Sequence, residues 1–124
     1  MARLATVDAD GRPHLVPCCF AVEDDVAYSA VDHKPKRSAR LRRLDNIRAH
    51  PEVCLLVDHY EDDWSALWWV RLDGTAQVLA DGPEYERAVS LLCAKYAQYR
   101  ATPPSGAVVA IDITAWRAWS ASEL

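Results

Sequence analysis

The chain has 124 residues, 51% of them hydrophobic and 26% charged, with a formal net charge of −4. That length fits one domain with a single sizeable core, and the mild acidity excludes a general nucleic-acid binder. No apolar run is long enough to cross a membrane, and the opening Met1-Ala2-Arg3-Leu4 lacks a signal-peptide pattern, so the cytoplasm is the expected location.

Arg3 to Val7 reads as a short strand. Asp8 to Pro13 follows as a hairpin turn in which Asp10-Gly11 supplies the φ > 0 positions. His14 to Val22 reads as a second, longer strand, Glu23-Asp24-Asp25 as a turn, and Val26 to Val31 as a third strand of an antiparallel meander.

The next stretch, Asp32 to Pro51, holds seven of the chain's 14 Lys and Arg residues. Leu41, Leu44 and Ile47 recur at helical spacing, which predicts an amphipathic helix with Ser38 as its N-cap and Pro51 closing the pattern. Lys36, Arg37 and Arg40 crowd the helix start, where the macrodipole already presents positive charge. A helix start built against its own stability points to an anion that completes it. The backbone N–H groups of Ala39 to Leu41, flanked by Lys36 and Arg37, form the expected phosphate or carboxylate site, with His33 beside it. Arg42, Asp45 and Arg48 read as a solvated face.

Glu52 to Tyr60 is a strand with a nearly continuous apolar centre, as expected of a barrel wall that also meets a partner subunit. After the acidic loop Glu61-Asp62-Asp63, Trp64 to Leu79 reads as one long aromatic strand, with Gly74 marking a bulge or bend. Asp81-Gly82-Pro83-Glu84 opens a second helix that fades near Arg100, its acids placed where the dipole favours them. Ala107 to Ile113 is the last strand, followed by Trp116-Arg117-Ala118-Trp119. The order β-β-β-α-β-β-α-β predicts a mainly β, α+β fold: a largely antiparallel barrel of about six strands with two helices at its edges.

The four cysteines, Cys18, Cys19, Cys54 and Cys93, form no C-x-x-C pair and lie in apolar segments, as buried thiols in a reducing compartment do. None of His14, His33, His50 and His59 pairs with another at metal-ligand spacing, so no metal site is expected. The common catalytic motifs are absent, and no catalytic residue is assigned. His14 and His50 read as structural or solvated. His59 and Tyr60 end a strand beside the acidic loop, a position open to a proton donor. Trp68 and Trp69 must face opposite sides of their strand; one packs in the core or a dimer interface and the other offers a wall for a flat ring, in an order the sequence leaves open.

Leu4 to Pro17, the basic turn Lys36-Arg37-Ser38-Ala39-Arg40-Leu41-Arg42-Arg43-Leu44, Val53 to Asp58, and Trp69 to Leu79 with Asp73-Gly74-Thr75-Ala76 at its centre together resemble the split-barrel pyridoxamine 5′-phosphate oxidase-like superfamily. The set most resembles its branch that uses the deazaflavin coenzyme F420. The resemblance implies a split β-barrel over the whole chain, residues 1–124, as a single flavin- or deazaflavin-binding domain. It implies a homodimer with the cofactor in a groove at the interface, and hydride transfer between the deazaflavin and a small unsaturated organic substrate. Lys36 and Arg37 would hold the cofactor phosphate with Ser38 and Arg40 nearby, and Val57, Asp58 and His59 would border the ring.

Two departures stand out. Relatives often carry Asn where this chain has Arg40, and they usually have a helix before the first strand. F420 carries a phosphodiester and an acidic oligoglutamate tail, which gives Arg40 and Arg43, one turn apart, a role that FMN would leave empty. F420 therefore ranks first and FMN, in an oxidase or reductase on the same fold, second. A non-catalytic carrier and a haem-binding barrel with His33 or His59 as axial ligand are the remaining readings. No membrane or nucleic-acid partner is expected.

Overall fold

A computed structural model describes the backbone of residues 1–31 and 37–122, and the side chains of these residues except 37–41. Among the described residues, seven strands and three α-helices succeed one another as β1 (Ala2–Val7), β2 (Pro13–Cys18), β3 (Ala21–Glu23), β4 (Val26–Ala30), α1 (Arg37–Ala49), β5 (Glu52–His59), β6 (Trp68–Leu79), α2 (Pro83–Lys95), α3 (Ala97–Ala101) and β7 (Val108–Ser120). All pairings are antiparallel, in the order β2-β1-β5-β6-β7-β4-β3.

The sheet curls into a barrel. Cys18 of β2 and Ala27 of β4, from opposite ends of the strand order, share one core with Leu4, Leu55, Leu72, Val109, Ile111 and Ile47 of α1. No ladder joins β2 to β3, so the barrel is split. α1 packs on β1 and β6 and closes the core through Ile47. α2 lies outside, where Tyr85, Ala88 and Leu92 cover Ala21, Tyr28, Ala30, Val108 and Ala110. The start of β7 is thus buried on both faces, which explains its unbroken apolar run.

Five sequence expectations need correction. The strand count is seven, not about six, because His14–Val22 is broken at Cys19 and Phe20. Phe20 N–H donates to the Tyr96 hydroxyl at 3.1 Å, and its carbonyl accepts from that hydroxyl at 3.1 Å and from Lys95 Nζ at 2.6 Å. A backbone unit satisfied from outside the sheet is free to leave the ladder. The resulting hairpins β1–β2 and β3–β4 sit at opposite edges, so the meander does not form.

The aromatic strand starts at Trp68, not Trp64, because the Asp63 carboxylate accepts the Ser65 N–H at 3.1 Å and caps a short 3-10 turn over Trp64–Ala66. The second helix is two: Tyr96, at φ −116° and ψ 121°, separates α2 from α3. Ser38 is inside α1 rather than capping it, since the helix begins at Arg37.

Gly74 sits at the irregularity where β6 and β7 shift register. A Cβ there would lie 2.4 Å from the Asp112 carbonyl oxygen, so only glycine permits the approach. Beside it, Thr114 donates to the Asp73 carbonyl at 3.1 Å. Past the bulge β7 runs on to Ser120, so the terminal tryptophans belong to the strand itself.

Candidate functional site

The basic stretch delivers one described cation to the interior. Arg43 lies one turn before Ile47 on α1, on the side of the helix that meets the core. Its Nε is buried and finds no hydrogen-bond partner among the described residues. Ser29 is buried as well. Strand alternation sets Ser29 with Ala27 on the inward face of β4, opposite Val109. The residue is 2% exposed, and its Oγ interacts with the Cys18 thiol without reaching a normal hydrogen-bond geometry to any described residue.

Cys18 links the two. Burial pushes its thiol up, while the Ser29 hydroxyl and the Arg43 charge pull the other way. The thiol is therefore near enough to feel both groups. A guanidinium can only donate, and leaving a buried donor unmatched costs about 1–3 kcal/mol. Arg43 Nε is thus a buried donor that an anionic group reaching the inner side of α1 would satisfy.

Lys36 and His33 lie outside the described residues, as do the side chains of Arg37, Ser38 and Arg40. The backbone of Arg37, Ser38 and Arg40 is in the first turn of α1. The structure does not bring the other three expected residues onto one face. Val57 and His59 project inward, where Val57 packs on the core. Asp58 projects outward and accepts from Arg3 at 3.2 Å. His59 pairs through Nε2 with the Glu61 carboxylate and stacks on Trp68, centroids 6.2 Å apart and planes 19° apart.

Two clefts open nearby, and of the residues above only Asp58 and its partner Arg3 line one of them. One of about 610 Å³ lies between the first hairpin and α1, lined by Asp8, Arg12, His14, Arg42, Asp45 and Asn46. Within it the Asp8 carboxylate accepts the Asp10 and Arg12 N–H groups at 2.9 Å, and the Arg12 bond leads in holding it below its ordinary pKa. A second, of about 480 Å³, opens on the outward face around Arg3, Leu15, Leu56, Asp58, Trp69 and Arg71.

Sequence reasoning missed Ser29 and Cys18. The available signal was a hydroxyl at an inward position of the apolar run Val26-Ala27-Tyr28-Ser29-Ala30. Cys18 carried none, because its proximity to Ser29 follows only from barrel closure.

A protein of Streptomyces rimosus, a 5a,11a-dehydrotetracycline/5a,11a-dehydrooxytetracycline reductase, is 31% identical over 86 residues, covering 68% of this chain and 59% of the relative. The chain thus matches about three fifths of that relative's length. Among solved structures, the heme storage protein HutZ from Vibrio cholerae superposes with a TM-score of 0.72 at 15% identity, covering 96% of this chain and 84% of that one. A FAD-binding protein from Mesorhizobium loti gives 0.67 at 23%, covering 94% and 83%. At these identities the two structures establish the split-barrel fold alone. The model of the pyridoxamine 5′-phosphate oxidase family matches residues 1–120, and the chain belongs to that family.

Proposed function

We propose that this chain is an F420-dependent oxidoreductase that reduces a small unsaturated organic substrate. The observation that carries the reading is the buried, unpartnered Arg43 Nε on the inner side of α1, within the stretch Asp32 to Pro51 that holds half of the chain's cations and so suits an anionic cofactor. The Streptomyces rimosus relative, named a reductase, supports reduction as the direction. When bound, the deazaflavin supplies the hydride.

The protein's part is to bind, orient and exclude water. Lys36 and Arg37 hold the phosphate, with the N–H groups of the first turn of α1 and Ser38 completing its shell. Arg40 and His33 extend the site along the acidic part of the cofactor. Arg43 takes a buried polar group with Ser29, in place of the solvent-exposed tail contact that its spacing from Arg40 suggests. Val57 and His59 border the ring from the inward face of β5, and Asp58 anchors the strand from the other side through Arg3.

The whole chain forms this one cofactor-binding domain, and two copies complete the groove. In support, the outward face presents Leu15, 67% exposed, beside Leu56 and Trp69, an apolar surface suited to a second copy. Cofactor-free protein titrated with F420 and separately with FMN tests the reading. Tight F420 and weak FMN binding, both lost in Lys36→Ala/Arg37→Ala, is the expected result. Preference for FMN moves the protein to the flavin-dependent reading, and binding of neither overturns both. Sedimentation at increasing protein concentration tests the dimer.

A further inference from the structure

Two edges of the sheet are blunted. β2 carries Pro13 and Pro17, which cannot donate to an added strand. β3 is three residues long and α2 lies against it, with Arg87 gripping Glu23. A further open edge runs along the far part of β7. There β4 accompanies β7 only from Val108 to Asp112, and Ile113 N–H donates to the Asp25 carbonyl of the β3–β4 turn at 2.8 Å. Past that point Ala115–Ser120 pairs with β6 on one side, and no described strand lies on the other. This stretch has neither proline nor lysine to protect it, and Trp116 to Ser120 are all exposed.

One bond fixes which main-chain groups face the open side. Ala121 N–H donates to the Leu67 carbonyl at 2.9 Å, so residue 121 turns its polar groups toward β6. By alternation Trp119 and Arg117 do the same, with no register shift between them. The N–H and C=O groups of Trp116, Ala118 and Ser120 therefore point to the open side, as a template for another strand. On the outward face the charges are unbalanced too. Arg71, opposite Arg117, is held by Asp73 at 2.9 Å, whereas Arg117 makes no salt bridge with a described residue.

We propose that this edge pairs antiparallel with the same edge of a second copy, about a two-fold axis at Ala118. Identical antiparallel strands are related by an axis perpendicular to the sheet, which keeps each face continuous. Opposed residues share a face, so the axis passes at a residue: Arg117, Ala118 or Trp119. At Arg117, two guanidinium groups would meet across the axis. At Trp119, the open groups of Trp116 would find no counterpart among those of Ala118 and Ser120. At Ala118 every open group is met, Trp116 by Ser120 of the second copy and Ala118 by its own equivalent. The same register sets each Arg117 opposite Trp119 of the other copy, a cation beside an aromatic ring on the outward face. The contact lies in the plane of the sheet, apart from the face around Leu15 and Leu56, and goes beyond the cofactor reading.

Sedimentation of the cofactor-free protein at equal concentrations tests it with Ala118→Glu and Ala118→Lys. Ala118 is exposed and outside the core, so both variants should fold. In each variant alone, like charges meet at the axis, and the average mass should fall below that of the wild type. Mixing the two should restore the mass, because Glu then meets Lys. Arg117→Ala removes both ring contacts and should weaken the association by about tenfold. A wild-type mass equal to that of either charge variant overturns the proposal, and is the result expected if a strand of another protein occupies the edge. A mixture that stays at the mass of the separate variants overturns it as well. None of these readings uses F420, so the cofactor titration stands or falls separately.

Discussion

Along α2, the polar side chains that turn toward the sheet are matched. Tyr28 donates to Glu84 at 2.9 Å, Tyr85 donates to the Gly106 carbonyl at 2.8 Å, and Arg87 grips Glu23 through both carboxylate oxygens. At its end Lys95 and Tyr96 take up the backbone of Phe20, with Lys95 Nζ 3.6 Å from the centre of the Phe20 ring. Around α1 the matching is incomplete. Asn46 donates to Thr6 at 3.1 Å and both are buried, but Arg43 Nε is buried without a partner among the described residues. A helix whose contacts are complete contributes stability. A buried charged donor left unmatched costs stability unless a ligand takes it up, and this difference is what supports the proposal that α1 is the ligand-binding helix.

The comparison is broken most severely on the α2 side by Leu92→Ala. Leu92 is fully buried, and its loss should destabilise by about 2–5 kcal/mol, read by denaturant unfolding, while the folded variant keeps its cofactor affinity. A second probe is pH. Burial, reinforced by the bond to Glu84, pushes the Tyr28 hydroxyl to about 12 from 10.0. Its folded pKa is raised, so its contribution is fully present below pH 10 and is lost as pH climbs toward 12. Unfolding stability should fall by about 2–3 kcal/mol over that interval, and Tyr28→Phe should remove that part of the fall. On the α1 side the effects should invert. Ser29→Ala deletes a hydroxyl that lacks a normal hydrogen bond, so stability should hold or rise by up to about 1 kcal/mol while F420 affinity drops a few-fold.

Much of this architecture was legible from local pattern. The first hairpin follows from Asp10-Gly11, the bulge from Gly74, and the basic helix from the spacing of Leu41, Leu44 and Ile47. The misjudged breaks arise where distant groups intervene. Phe20 leaves the ladder because Tyr96 and Lys95, some 75 residues away, satisfy its backbone. The candidate site was legible only as charge. The cation-rich stretch was plain, but which of its arginines turns inward depends on how α1 seats on the barrel. That Asp58 parts from Val57 and His59 needed only strand alternation, which the resemblance obscured.

The most direct measurement compares wild-type protein with Arg43→Met, titrating each with F420 and unfolding each thermally without ligand. Arg43→Met keeps the apolar bulk of the side chain and removes the unmatched guanidinium. The account predicts that F420 affinity falls by about tenfold or more, as expected for losing a hydrogen bond to a charged group, while the unfolding temperature stays level or rises. Unchanged F420 affinity together with a lowered unfolding temperature would contradict it, and would make Arg43 a structural residue.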